Sequence, residues 1–121
     1  MDKKSNRDAI TDLINRFFNA LKSGNFDDRL FTPDVNLLTP FMEAPVVGKD
    51  ATIEALKDIS PSVGEIKIRR LVIDDEFVCA IIEYKNKDGI TIDMCDTHRI
   101  SNGLLAEIRP YFDPRPLMGD G

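Results

Sequence analysis

Between Ile90 and Ile100 apolar and polar residues alternate, and one side of the alternation carries Ile92, Met94, Asp96, His98 and Ile100. A period of two puts these side chains on one face of a β-strand. His98 is the only histidine in the chain. An acid and an imidazole among apolar neighbours must be hydrogen-bonded, neutralised or used. Residues two apart on a strand are separated by about 6–7 Å along the backbone, which suits contact with one ligand or with a bridging water. A histidine can abstract or return a proton near neutral pH, and a buried carboxylic acid can donate a hydrogen bond to a developing oxyanion. The chemistry open to the pair is proton transfer on an apolar, carbonyl-bearing molecule. His98 is the candidate base or shuttle, and Asp96 the oxyanion donor or orienter. The competing reading is a buried polar pair satisfied by backbone or helix groups.

Flanking turns set which residues share that face. Asn86-Lys87-Asp88-Gly89 and Ile100-Ser101-Asn102-Gly103 both read as three-residue loops with glycine in the left-handed position. That register sets Asn86 opposite Ile90 and Ile100 opposite Leu104. Even-numbered residues then line one side: Val78, Ala80 and Ile82, then Met94, Asp96 and His98, then Ile108, Pro110 and Phe112. Glu83, Asp93, Cys95, Arg99, Glu107, Arg109 and Tyr111 take the other. The first set reads as a core or cavity, the second as a polar outer face with cross-strand ion pairs. A slip of one residue would exchange the two.

Four strands are expected over Glu65–Ile73, Phe77–Lys85, Ile90–Ile100 and Leu104–Asp113, with Asp74-Asp75-Glu76 as a tight turn. Ahead of them, Ser5-Asn6-Arg7-Asp8 offers a helix N-cap. Ile10, Leu13, Ile14, Phe17, Phe18 and Leu21 follow at helical spacing, and Gly24 ends the run. A short helix is expected over residues 26–30, and Pro33-Asp34 as a break. A strand from Val35 to Thr39 is stopped by Pro40, and residues 41–46 form a short extended piece. A second helix opens at Gly48-Lys49-Asp50, turns Ile53, Leu56 and Ile59 inward, and ends at Ser60-Pro61. Helices first and a long meander second predict an α+β fold.

The 121 residues suit one domain, with an ordered core over about 6–117 and a fraying tail from Pro114. The net charge of −5 comes with basic residues scattered among acids, which argues against nucleic acid. No apolar run approaches the roughly 20 residues of a membrane span, and no leader-type segment opens the chain, so the expectation is no membrane and a cytoplasmic location. Cys79 and Cys95 are read as reduced, with a disulfide as the alternative. One histidine and no paired-cysteine motif predict no metal site, and the proposed chemistry needs no cofactor.

Four pieces in order carry a resemblance: Phe17–Phe26, Phe31–Val35, Val47–Ile53, and the hairpin from Asp96 to Pro114. The chain resembles the nuclear transport factor 2-like superfamily, within it the SnoaL-like branch and the ketosteroid isomerases. The resemblance implies a cone-shaped, strongly bent antiparallel sheet wrapped around a long N-terminal helix. It also implies a mostly apolar pocket for a small molecule and a homodimer through the outer sheet face.

Candidate pocket residues are then Phe17 and Leu21 on the helix, Thr39 and Phe41 beside Pro40, and Ile82, Met94, Pro110 and Phe112 on the sheet. Such residues are also ordinary core. In ketosteroid isomerases a tyrosine donor occupies the place of Phe17, a general-base aspartate that of Thr39, and a protonated aspartate that of Asp96. Only the last is kept. The string Arg109-Pro110-Tyr111-Phe112-Asp113 is similar to one in limonene epoxide hydrolases, with proline where their catalytic aspartate stands. The expected function is a SnoaL-like isomerase, cyclase or lyase acting by acid–base proton transfer. The alternative is a non-catalytic ligand-binding or dimeric interaction domain that has lost the ancestral base.

Overall fold

The computed structural model describes residues 3–118. Helix α1 runs Lys3–Ser23. It starts earlier than the Ser5 cap implies. Ile10, Leu13, Ile14, Phe17 and Phe18 are buried along one stripe, as the spacing requires. Gly24 ends the helix at φ +81°, a conformation that only glycine adopts freely, and its N–H donates to the Ala20 carbonyl at 2.8 Å.

The sheet order is β2-β1-β6-β5-β4-β3. The strands are β1 Phe31–Leu37, β2 Val46–Val47, β3 Val63–Asp74, β4 Phe77–Asn86, β5 Thr91–Ser101 and β6 Leu104–Tyr111. All pairings are antiparallel except β1 with β6, which is parallel. Helix α2, Lys49–Ile59, buries Thr52 and Leu56, and the Thr52 hydroxyl donates to the Val35 carbonyl of β1 at 3.2 Å. The sheet curves around α1 without closing, an α+β architecture.

Two local expectations are corrected. Pro33 does not break the chain but lies inside β1. Phe31 faces Leu105 and Asn36 faces Glu107, so the ladder with β6 skips over the proline, which has no N–H to give. The extended piece over residues 41–46 shrinks to the two residues of β2. In the tail, Arg115–Leu117 forms a 3-10 turn and Leu117 packs on the core. Residues 119–121 lie outside the described residues.

The meander has its expected order, and the loop after β4 its expected form. Asn86 faces Ile90 across Lys87-Asp88-Gly89, with Gly89 at φ +89°. The β5–β6 turn differs. Asn102 and Gly103 both have positive φ, 52° and 77°, giving a two-residue turn of type I′ with Ser101 opposite Leu104. A bulge then advances the register once more, and His98 meets Ile108. The two single-residue offsets together make two, so the even-numbered face survives intact. Gly64 answers a different need: a Cβ there would stand 2.7 Å from the Lys85 carbonyl oxygen and 2.9 Å from that of Asn86. Only glycine lets β3 come that close to the end of β4 beside its bulge.

Candidate functional site

The concave side of the sheet, α1, α2 and the 39–42 turn enclose a cavity of about 420 Å³. Helix α1 contributes Phe17, Phe18 and Leu21. Thr39, Phe41 and Met42 come from the turn after β1, and Leu56 and Ile59 from α2. The sheet adds Ile82, Met94, Asp96, Pro110 and Phe112, and Leu117 reaches in from the tail. Phe17, Leu21, Thr39, Phe41, Ile82, Met94, Pro110 and Phe112, the candidate pocket residues, lie on its walls. Phe41 is more than half exposed and stacks on Phe112 at a centroid distance of 5.8 Å, which puts this pair at the rim.

Asp96 lies on the cavity wall and is 4% exposed. Ala80 faces it on β4 and Pro110 on β6. His98 follows on the same face but does not line the cavity, contrary to the expectation that both side chains reach it. It is fully buried, with the ring of Phe17 edge-on at 5.2 Å and that of Phe18 at 6.2 Å. Both phenylalanines line the space, and His98 packs against them.

The pair is nevertheless joined. His98 Nε2 is 3.2 Å from Asp96 Oδ2, close enough for an ion pair but off the line of an aligned hydrogen bond. Asp96 Oδ1 and His98 Nδ1 have no protein hydrogen-bond partner among the described residues. Buried polar atoms are nearly always satisfied, so the sealed, unpartnered Oδ1 is an exception, and it belongs to a side chain that lines the cavity. Thr39, at the position of the isomerase base, is buried and accepts a hydrogen bond from the Phe41 N–H at 3.3 Å.

Four polar lining residues escape the sequence reading: Ser62, Tyr84, Asn86 and Asp88. Tyr84 and Asn86 continue the even-numbered side of β4, so alternation alone could have found them. Ser62 ends the 3-10 turn Ser60–Ser62 and Asp88 lies in a loop, outside any strand period. The Tyr84 hydroxyl points to the Ser62 carbonyl at 3.5 Å, a long contact.

The outer face is polar where expected. Glu107 pairs with Arg109 at 3.4 Å and with Arg99 at 4.0 Å, and Glu83 pairs with Arg69. Cys79 and Cys95, read from sequence as reduced, form a disulfide across β4 and β5. Their positions explain it: Cys79 faces Thr97 and Cys95 faces Ile81, so the two sulfurs sit diagonally on one face with Cα atoms 6.3 Å apart. At the tail, the Arg115 side chain donates to both oxygens of Asp113. These bonds, helped by the Arg115 backbone N–H, hold the Asp113 carboxyl down to about 2.

No group of three or more His, Cys, Asp or Glu side chains suited to a metal occurs among the described residues. Nor is any described helix long and apolar enough to cross a membrane.

Solved structures with this fold are numerous. An NTF2-like protein of unknown function from Cytophaga hutchinsonii is 21% identical with a TM-score of 0.74, over 88% of this chain and 92% of its own. Another, from Mesorhizobium loti, is 14% identical with a TM-score of 0.76, over 93% and 96%. A hypothetical protein from Catenulispora acidiphila with a ketosteroid isomerase-like fold, solved in complex with trimethylamine, is 11% identical with a TM-score of 0.71, over 84% and 85%. These likenesses establish the NTF2-like fold. No curated protein matches the sequence. One family model covers residues 5–121, and the chain belongs to that family, described as Domain of unknown function (DUF4904).

Proposed function

We propose that this protein takes an apolar small molecule into the cavity and exchanges a proton with it through Asp96, with His98 as the proton store behind. The observation that carries this reading is the Asp96 carboxyl on the cavity wall, with Oδ1 buried and unpartnered and Oδ2 in contact with His98. Oδ2 accepts a proton from the ligand. The proton passes from the carboxyl to Nε2 across the 3.2 Å contact, leaving carboxylate and imidazolium, and returns by the same route to another ligand atom. The net change is an isomerisation, with no group gained or lost. When protonated, the carboxyl instead donates to a ligand oxygen. His98 is buried against Phe17 and Phe18 and is not part of the lining, so its part is to hold a proton and orient Asp96.

A second reading is binding without turnover. Phe17 and Thr39 favour it, because they occupy the places of the donor and base in the ketosteroid isomerases that the chain resembles. The test has two steps. Native mass spectrometry of protein purified with nothing added identifies a co-purifying molecule. That molecule is then incubated in deuterated water with wild type and with Asp96→Asn. Deuterium at a carbon with wild type alone supports proton transfer. Binding without exchange by either protein supports the second reading.

A further inference from the structure

The cavity has a sign. Its described lining holds the carboxylates of Asp96 and Asp88 and no lysine, arginine or histidine. Five of its walls are aromatic: Phe17, Phe18, Phe41, Tyr84 and Phe112. His98 is buried against Phe17 and Phe18 and is not part of that lining. The Asp96 carboxyl thus meets the cavity with no basic side chain beside it in the lining.

The two carboxylates stand at opposite ends of the space. Asp96 pairs with Ala80, and Tyr84, next to Asn86 and the Asp88 loop, lies four residues further along β4, about 13 Å of extended strand. Ile82 and Met94 face each other between them and offer only apolar surface. Asp88 is exposed and Asp96 is buried.

We propose that the ligand is an elongated apolar amine. Its cationic nitrogen meets the Asp96 carboxyl, and its hydrocarbon body lies along Ile82 and Met94 toward Asp88. This rests on the cavity being the ligand site and is independent of whether a proton is then moved. The carboxyl offers a charge-assisted hydrogen bond, and aromatic faces favour a cation that must leave water. The exposed Asp88 attracts the same sign of charge during entry. An anionic ligand would bring a second negative charge against a buried carboxylate, with no basic side chain in the lining to offset it.

Three probes of matched length separate the ideas: 4-phenylbutylamine, 4-phenylbutanol and 4-phenylbutyrate, titrated into the full chain by calorimetry at pH 7. The expected order is amine, alcohol, carboxylate. The amine should bind at least about tenfold more tightly than the alcohol, and about a hundredfold more tightly than the carboxylate. In Asp96→Asn the alcohol should still bind and the preference for the amine over it should vanish. If that variant does not fold, the ranking in wild type decides alone. Carboxylate binding equal to or tighter than amine binding overturns the inference and leaves the cavity as a ligand site. Failure of all three probes overturns the ligand site itself.

Discussion

Asp96 lines the cavity and touches His98: Oδ2 is 3.2 Å from Nε2 of the buried imidazole, and Oδ1 is buried without a protein partner. A polar pair that only held the fold together would close its hydrogen bonds on protein groups. This one does not. Asp96→Asn keeps the shape and removes the charge, so it should abolish proton exchange with the ligand and shift the melting temperature little. If the pair were a structural polar core, the same change would cost about 1–3 kcal/mol, and chemical denaturation distinguishes the two.

His98→Gln keeps a hydrogen-bonding group but no titrating one. If His98 stores the proton, exchange should slow by at least about tenfold, while affinity for an uncharged probe stays within twofold, since the ring is outside the lining. Single-turnover exchange against an equilibrium titration separates these effects.

Filling the space should remove binding without unfolding the chain. Met94 is only half-buried and lines the cavity, so Met94→Trp can extend into empty volume instead of a packed core. Circular dichroism should be unchanged, and probe binding should fall at least about tenfold.

Cys79–Cys95 closes a loop with a sequence separation of 16. Protein purified without reductant should show no free thiol when denatured. Reduction should lower stability by about 3 kcal/mol on the chain-entropy account. Finding both thiols free in such a preparation would contradict the bridge.

At the tail, Arg115 holds the Asp113 carboxyl down to about 2, below its ordinary 3.8. The sign follows: the clip contributes fully above the unfolded value and is lost as pH falls through about 2. Because Leu117 lines the cavity two residues beyond Arg115, Arg115→Ala should loosen this wall and speed probe dissociation at pH 7 without altering the charge preference. Stopped-flow dissociation reads it.

Much of the site was legible because a strand has a strict period. Asp96 and the sheet residues of the pocket follow from alternation once the register is fixed, and the parity of the β5–β6 pairing survived a mistaken loop length because turn and bulge compensate. Thr39 and Phe41 came from the family resemblance. What stayed hidden was depth. Alternation assigns His98 to the correct face but cannot show that Phe17 and Phe18, from a distant helix, pack against it. The disulfide was hidden for a related reason: a diagonal neighbour depends on register between strands, not on spacing within one. Pro33 inside β1 was unreadable because its tolerance comes from an irregular ladder with β6, formed about 70 residues later.

The outer face of β4 and β6 carries Phe77, Ile81 and Tyr111, all exposed. Dimerisation through this face is proposed from that surface and the family resemblance. Sedimentation equilibrium at micromolar concentration should show dimer for wild type and a shift toward monomer for Tyr111→Asp.

The central claim is that the space beside Asp96 receives an apolar ligand. The most direct test is a methyl NMR titration with the uncharged probe 4-phenylbutanol. The predicted result is saturable shifts at methyl-bearing residues of the cavity lining, Met94, Ile82, Ile108 and Leu117 among them. Shifts confined to Val72 and Ile81 on the opposite side of the sheet, or no saturable shift at all, would contradict it.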